Sequence, residues 1–498
     1  MTRKTRRFLK LLAVGTCAVC LTVFGACQPD KPITPDPDDP DPTPDPTTEY
    51  VQESEVSVTG NQTGFVENGK YRTDYGTLEE ERAAAKQLNI EVASEGDVLM
   101  KNDDNTLPLK KNSTLTLLGY KTNDIMMGGG GSGSGRPGQY GVPKTTLEMG
   151  LKQAGFDVNP ATLNYYSANK KEVGTLPASV QSTYKDFNDA AIVMFSRSGS
   201  EGSDEKTYGV DGDKHYLEFT DVEKQLIKHA KANFDKVILL VNSSNAMELS
   251  EVNAEKTKDN LGVDAILWIG HVGNDGAAAI GKILNGEVNP SGRTADTYAV
   301  DFTKDPTFTN FGSNGQNVDA QGNRLDTYIY EEGKDSAPYT MEDNLKGYNF
   351  FSVEYREGIY VGYKYYETKA AIEGGDWFKN NVVYPFGYGL SYTTFSQEIT
   401  DDIAPTGTIS KANSTVTVKV KVTNTGSVAG KDVVQLYYTA PYTDGGIEKA
   451  EVNLAAFAKT DMLQPGESQT LTLQFVAQDM ASFDWNDANS NDFVGYEL

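Results

Sequence analysis

The residues best placed for chemistry in this sequence occupy a loop that follows an apolar run. Residues 190–195 (AAIVMF) are consecutively apolar, which predicts a strand buried on both faces of a sheet. The next residues, SRSGSEGSD at 196–204, surround one carboxylate, Glu201, with small side chains. Open α/β sheets bind ligands in such loops, and small neighbours let a sugar-sized ligand approach the carboxylate. We therefore predict that Glu201 is catalytic; the alternative is a solvated turn residue.

A second loop is built of glycine and serine. Residues 127–135 read MGGGGSGSG, after the first predicted strand and before a helical pattern. No Gly-Lys-Ser/Thr sequence closes this loop, and it lies too far from a tight strand-to-helix turn for a dinucleotide fingerprint. The small residues predict that the backbone around Gly131, Ser132 and Gly133 approaches a hydroxyl-rich ligand. The alternative is a flexible loop without a ligand.

The histidines do not form a metal-binding pattern. His215, His229 and His271 are scattered, and His229 lies among lysines on a predicted helix, which predicts that it is exposed. His271 follows a buried strand and is either a structural residue or one that reaches a pocket. No Gly-x-Ser-x-Gly turn joins a strand to a helix at the right place, so a serine hydrolase is not supported. The sequence indicates no metal and no organic cofactor.

Alternating strands and helices position these loops. Strand-like runs begin at residues 114, 190, 237 and 265, and helical patterns cover 78–88, 145–154, 221–234 and 276–284. In the helix at 221–234, apolar residues recur at the spacing of a helix lying on a sheet: Val222, Leu226, Ile227 and Ala230. The alternation predicts an α/β fold, a layered α/β sandwich whose sheet is mostly parallel and covered on both faces.

The pattern changes near residue 400. From Thr415 the valines at 416, 418, 420 and 422 alternate with Thr and Lys, and further strand-like runs cover 433–438 and 471–476. This period of two predicts an all-β sandwich after the α/β domain. Residues 383–395, dense in aromatics and glycines, form either a rigid corner at the domain boundary or a sugar-stacking platform.

The N-terminal residues have the pattern of an export signal. Basic residues within the first ten precede an apolar run at 11–24 and small residues before Cys27. The pattern resembles a bacterial lipoprotein signal peptide, residues 1–27, with Cys27 as the lipidated residue; the alternative is an uncleaved membrane anchor. Residues 28–48, rich in Pro and Asp, predict an extended spacer. We expect an exported protein, lipid-anchored to the bacterial cell membrane or envelope.

Charge and cysteine content limit the partners. With a formal charge of −25, the sequence lacks the basic footprint that nucleic acids require, so no nucleic-acid partner is expected. The cysteines are Cys17, Cys20 and Cys27, all near the N-terminus, so internal disulfides are not expected in the exported body. The domains must therefore be held together by their own apolar cores.

Several motifs, in this order, resemble the C-terminal half of glycoside hydrolase family 3, which contains many β-glucosidases and β-xylosidases. They are VLMKND at 98–103 with LPL at 107–109, the loops at 127–135 and 196–204, LNGEVNPSGR at 284–293, EGIYVGYKYY at 357–366 and YPFGYGLSY at 384–392. LQPGES at 463–468 resembles the family's fibronectin-type-III-like domain. The resemblance covers residues 78–485. It implies an α/β sandwich domain at 78–398, a fibronectin-type-III-like domain at 405–485 and a tail at 486–498.

The resemblance implies retaining hydrolysis of O-glycosidic bonds in an oligosaccharide or β-glycoside, with one carboxylate as nucleophile and another as acid/base. Glu201 matches the acid/base and Ser132 a sugar contact, while Asp204 is expected to support the substrate-binding loop. The family's nucleophile lies on a (β/α)₈ barrel, for which the sequence has no room. Two hypotheses follow: half of a β-glucosidase-like enzyme with a separate barrel subunit, or a catalytically inactive, lipid-anchored carbohydrate-binding or interaction protein.

Overall fold

The computed structural model describes residues 74–131, 144–199, 201, 205–308, 355, 357–400 and 411–497. It also describes the backbone of two short antiparallel strand pairs outside these ranges: Val66–Glu67 with Lys70–Tyr71, and Tyr328–Tyr330 with Phe350–Ser352. Among the residues described, no helix is both long and apolar enough to cross a membrane.

A six-stranded sheet forms the centre of the first domain. Its strands are β1 (Val98–Asn102), β2 (Thr114–Leu118), β3 (Asp157–Val158), β4 (Ala190–Arg197), β5 (Val237–Ser243) and β6 (Ala265–Trp268). Their order across the sheet is β1-β6-β5-β4-β2-β3. All neighbours are parallel except β1, which pairs antiparallel with β6 at one edge. The predicted, mostly parallel sheet is therefore confirmed.

The helices of the chain lie before, between and after these strands in sequence. They are α1 (Leu78–Gly96), α2 (Leu147–Gln153), α3 (Pro160–Asn169), α4 (Ala178–Gln181), α5 (Asp221–Asn233), α6 (Ser250–Asn253), α7 (Ala277–Leu284), α8 (Tyr363–Glu373) and α9 (Gly375–Asn381). Two apolar clusters contain alternate residues of the central strands: Val193 of β4 belongs to one and Ile192 to the other. The central strand β4 is thus buried on both faces, as its uninterrupted apolar run predicts.

Glycines set the spacing of the two helices α2 and α7. A Cβ atom on Gly150 would collide with the backbone of Ala277, and one on Gly281 would collide with the carbonyl group of Gly150. The helix backbones therefore lie in direct contact. Short strands β7 (Tyr298–Ala299) and β8 (Val382–Tyr384) form a separate antiparallel pair.

The helix α5 departs from its sequence-based prediction at two positions. His229 is buried, with 8 % of its surface exposed, because it lies one turn after Leu226 on the core-facing side, and the Tyr184 hydroxyl hydrogen-bonds its Nε2 at 3.0 Å. The prediction that His229 is exposed was wrong. Val222 is 38 % exposed, whereas its neighbour Glu223 is buried because its carboxylate pairs with Arg197.

The second domain is an antiparallel β-structure. Its strands are β9 (Phe395–Ile399), β10 (Thr415–Asn424), β11 (Val433–Tyr438), β12 (Asn453–Lys459), β13 (Ser468–Val476), β14 (Ser482–Asp484) and β15 (Gly495–Glu497). They form the sheet β9-β10-β13 and the pairs β11-β12 and β14-β15. Three of the alternating valines of β10, at positions 418, 420 and 422, share an apolar core with Val434, Leu463 and Leu473. The strand β9 begins at Phe395, within residues 78–398, which the resemblance assigns to the α/β domain. The strand β15 lies within residues 486–498, the expected tail.

Polar contacts join the α/β domain to the sandwich. Arg293 Nη2 lies 2.6 Å from Asp432 Oδ1, and Glu95 accepts hydrogen bonds from Lys431 and from Lys459, the latter at 2.6 Å. The aromatic segment at 383–395 is part of this structural framework, since the Tyr392 hydroxyl donates to the Ile283 carbonyl oxygen at 2.9 Å. This role fits the rigid corner rather than an open stacking platform.

Candidate active site

The candidate site lies where parallel strands end at the carboxyl edge of the sheet. The strand β4 runs into the loop with Glu201, and the neighbouring strand β2 leads to the glycine loop. Gly130 donates its N–H to the Gly199 carbonyl oxygen at 2.9 Å, so the two loops are hydrogen-bonded to each other. Two loops that are far apart in sequence therefore form one surface.

Gly131 packs directly against Glu201. Its φ of +86° lies in the left-handed region that favours glycine. A Cβ atom at this position would collide with the Cβ of Glu201 and would lie 2.8 Å from its Oε2. Both residues are exposed at the edge of the sheet. A glycine is therefore required here by backbone conformation and by the close approach of the glutamate side chain.

The structure brings together two of the site residues predicted from sequence, Glu201 and Gly131. The other predicted residues, Ser132, Gly133, Asp204 and the lipidation residue Cys27, lie outside the described residues. Within the described part of the chain, no group of three or more His, Cys, Asp or Glu side chains could hold a metal ion.

Asn242, near the end of β5, connects the strand β4 with two loops of this edge. Its Oδ1 accepts hydrogen bonds from the Met126 N–H at 2.7 Å and from the Ser196 hydroxyl at 2.8 Å. Its Nδ2 donates to the carbonyl oxygens of Met126 and of Gly270 at 3.1 and 2.6 Å. The side chain is fully buried. Asn242 therefore fixes the glycine loop relative to the strand that carries Glu201, a role that the sequence analysis missed.

Arg197, the last residue of β4, anchors the start of the Glu201 loop. Its Nη1 and Nη2 each donate to one carboxylate oxygen of Glu223 at 2.8 Å. Nε donates to the Tyr216 carbonyl oxygen and Nη2 to the Glu218 carbonyl oxygen, both at 2.7 Å. Burial alone would lower the pKa of Arg197, but the Glu223 carboxylate outweighs burial and holds the pKa above its ordinary value. The guanidinium therefore stays charged and fixed.

Tyr216 holds the next residue of the loop. Its hydroxyl accepts a hydrogen bond from the Ser198 N–H at 2.9 Å and donates one to the Ser198 carbonyl oxygen at 3.0 Å. Burial raises the pKa of Tyr216, so its hydroxyl remains a donor at neutral pH. Ser198 is thus fixed on both its backbone groups, three residues before Glu201.

The histidines at this edge have structural contacts. His271 Nε2 lies 3.3 Å from the Arg197 carbonyl oxygen, and His215 Nε2 lies 3.0 Å from Glu248 Oε1. These contacts join neighbouring loops. They support the structural interpretation of His271 and give no arrangement for nucleophilic catalysis.

The site can perform proton transfer at a ligand oxygen. Glu201 stands on an exposed loop whose base is fixed by Arg197, Tyr216 and Asn242, and a carboxyl group so placed can give and take a proton. Gly131 is exposed beside this carboxyl group. The site therefore belongs to an α/β sandwich with an acidic loop at the carboxyl edge of its sheet, followed by a small β-sandwich.

Comparison with known proteins identifies the family. The model for the glycosyl hydrolase family 3 C-terminal domain matches residues 97–392, and the model for the fibronectin type III-like domain matches residues 432–490. The chain therefore belongs to glycosyl hydrolase family 3, through the C-terminal domain of that family.

Individual relatives agree with this assignment. The chain is similar to β-glucosidase A of Butyrivibrio fibrisolvens, with 34 % identity over 450 residues, which are 81 % of this chain and 48 % of that enzyme. It is 31 % identical over 425 residues to a β-glucosidase of Ruminococcus albus, covering 82 % of this chain and 38 % of the relative. The chain thus spans less than half the length of these relatives.

Solved structures give the same result. A β-glucosidase from Paenibacillus barengoltzii superposes with a TM-score of 0.65 and 29 % identity, over 82 % of this chain and 40 % of that one. β-Glucosidase 3B from Thermotoga neapolitana, in complex with glucose, superposes with a TM-score of 0.61 and 29 % identity, over 84 % of this chain and 51 % of that one. In these solved structures, the matching fold makes up about half of the chain or less.

Proposed function

We propose that this chain supplies the acid/base half of a retaining, β-glucosidase-like glycoside hydrolase. The observation that carries the proposal is the contact between the exposed residues Gly131 and Glu201 in a family 3 domain. The relatives named above are β-glucosidases, so a β-glucoside is the proposed substrate class.

In the proposed reaction, Glu201 acts twice on one side of the anomeric carbon. In the first step, its carboxylic acid protonates the glycosidic oxygen while a nucleophilic carboxylate forms a covalent bond to the anomeric carbon and the aglycone leaves. In the second step, the Glu201 carboxylate takes a proton from water, which attacks the same carbon and releases the nucleophile. The two carboxylates must stand about 5–5.5 Å apart.

The nucleophile is proposed to come from a (β/α)₈ barrel subunit. The described residues form the α/β sandwich, the β-sandwich and their connections, and they include no such barrel. The exposed position of Glu201 at the sheet edge supports this proposal, because a barrel that docks on this edge can bring its own carboxylate to the sugar.

A chimeric enzyme tests the proposal. This chain's residues 97–497 replace the matching region of the Butyrivibrio β-glucosidase, and hydrolysis of 4-nitrophenyl β-glucoside is measured. We expect turnover that falls about 10²–10⁴-fold with Glu201→Gln. The matched control is Glu251→Gln, an exposed glutamate of α6 that pairs with Lys224 and should leave turnover unchanged.

Other outcomes separate the alternatives. Equal turnover in the chimera with and without Glu201→Gln would refute the assigned role. Turnover by the purified chain alone, lost in Glu201→Gln, would show that its nucleophile lies in this chain. A folded chimera without turnover would favour the carbohydrate-binding alternative.

We also propose export and lipid anchoring through Cys27. The support is the basic head, the apolar run and the small residues before Cys27. Metabolic labelling with a radioactive fatty acid, followed by membrane fractionation, tests this proposal. Wild-type protein should carry the label and sediment with membranes. Label that persists in Cys27→Ser would exclude this residue as the site.

A further inference from the structure

A separate pocket opens beside the end of β5, one strand away from the Glu201 loop. Its volume is about 390 Å³, and Ser244 and Asn245, which follow β5, form part of its wall. In the sheet register, Ser243 of β5 pairs with Arg197 of β4, so the two strand ends lie side by side. The pocket and the candidate active site therefore occupy the same edge of the sheet.

Two carboxylates line the pocket, Asp296 and Asp305. Asp296 is exposed to solvent, and its Oδ1 accepts the Thr297 N–H at 3.1 Å. Asp305 is held in place more firmly: its Oδ2 accepts from the Tyr366 hydroxyl at 3.0 Å and its Oδ1 from the Thr307 hydroxyl at 2.6 Å. The pocket thus offers one rigid and one accessible hydrogen-bond acceptor, each able to bind ligand hydroxyl groups.

Thr297 provides an independent observation. It lines the pocket, and its side-chain oxygen is buried with no hydrogen-bond partner among the described residues. Buried hydroxyl groups without a partner are rare because losing water without compensation is unfavourable. A ligand that hydrogen-bonds this hydroxyl, once the side chain turns toward the pocket, would supply the missing partner.

The remaining wall mixes neutral polar residues with apolar ones and carries no positive charge. Leu217, Phe302 and Val361 contribute carbon surface, and the described lining residues include no Lys, Arg or His. Anionic ligands are therefore disfavoured. A single cation is also a poor fit, because the described residues contain no group of three or more His, Cys, Asp or Glu side chains that could hold one.

We propose that this pocket binds a neutral pyranose unit, with sugar hydroxyls on Asp296, Asp305 and Thr297 and the C–H face of the ring against Phe302. The volume lies at the lower end of the range of about 300–1,000 Å³ that is usual for small-ligand sites. The choice of sugar rests on the β-glucoside class of the proposed function, whereas the pocket itself is independent of Glu201.

Saturation-transfer NMR titrations of the purified chain with glucose and with cellobiose test the proposal. We expect binding that weakens about tenfold or more in Asp296→Asn, which replaces an acceptor oxygen by a donor, and measurably in Thr297→Val. Thr297→Val removes only the unpartnered hydroxyl, so it should fold normally and serves as the second variant. Asp376→Asn, a matched charge change on the exposed face of α9, should bind as the wild type.

The outcomes distinguish this pocket from the candidate active site. Sugar binding that is lost in Glu201→Gln and retained in both pocket variants would place the sugar elsewhere and overturn the proposal. Binding of glucosamine or of Ca²⁺ without binding of glucose would also overturn it. A chain that binds neither glucose nor cellobiose would overturn it as well. If the chimera fails to hydrolyse glucosides while the pocket variants lose sugar binding, the proposed function fails and the pocket assignment stands.

Discussion

Replacing Arg197 by Met should destabilise the α/β domain strongly. The side chains of Arg197 and Glu223 are only 7 % and 8 % exposed. The substitution leaves a buried carboxylate without its partner and also frees the carbonyl groups of Tyr216 and Glu218. Breaking a buried pair from one side costs about 3–5 kcal/mol, against about 0–1 kcal/mol for an exposed pair. We therefore expect a loss of about 3–5 kcal/mol in the free energy of unfolding.

A double-mutant cycle separates the ion pair from packing. Arg197→Met combined with Glu223→Met should cost less than the sum of the single substitutions, because no unpaired charge stays buried. Arg197→Lys should be intermediate, since a lysine keeps the charge but cannot reach both carboxylate oxygens and the two carbonyl groups.

Urea unfolding, followed by circular dichroism, measures these differences. The control is Lys152→Met, which breaks the exposed pair with Glu148 and should cost no more than about 1 kcal/mol. A cost below about 1 kcal/mol for Arg197→Met, or additive costs in the cycle, would refute the role assigned to this buried pair.

Three further predictions concern buried titratable groups and the glycine loop. Burial raises the pKa of Asp97, so the folded state retains a proton that the unfolded state loses above about pH 4. The free energy of unfolding should therefore fall as the pH rises from there. Asp97→Asn should remove this pH dependence of the urea midpoint and stabilise the protein at pH 7. Burial lowers the pKa of His229, so stability should decrease as pH falls below about 6.5. The urea midpoint should decrease less with falling pH in His229→Gln than in the wild type. An unchanged decrease would contradict the assignment of this pH dependence to His229. Gly131→Ala forces a collision with Glu201 and should lower kcat of the chimera about tenfold or more. A kcat equal to that of the unsubstituted chimera would show that this contact is unimportant.

The sequence predicts the strand β4 and the start of the Glu201 loop well because the signals are local. An uninterrupted apolar run can be recognised without knowledge of its neighbours, and β4 extends only two residues beyond it, to Arg197. The glycine loop and Glu201 are also recognisable individually. Their contact is not, because it depends on β2 and β4 being neighbours in the sheet, which is a property of the tertiary fold.

The residues that fix the loop could not be predicted in the same way. Asn242 and Arg197 are polar residues at the ends of apolar strands, which is a usable signal, but their partners lie in other loops. The exposure of His229 was predicted wrongly. Its flanking lysines indicate an exposed residue, whereas its spacing from Leu226 places it toward the core. The pocket at Asp296 and Asp305 arises from segments whose sequences show little periodicity.

The dependence of rate on the leaving group tests the central claim, that Glu201 donates the proton to the glycosidic oxygen. In the chimera, Glu201→Ala should reduce cleavage of cellobiose about 10²–10⁴-fold, because its leaving group needs protonation. Formation of the glycosyl-enzyme from 2,4-dinitrophenyl β-glucoside should continue at a rate close to that of the unsubstituted chimera, because this leaving group departs without a proton. Equal losses for both substrates would contradict the claim and would assign Glu201 a structural or binding role instead.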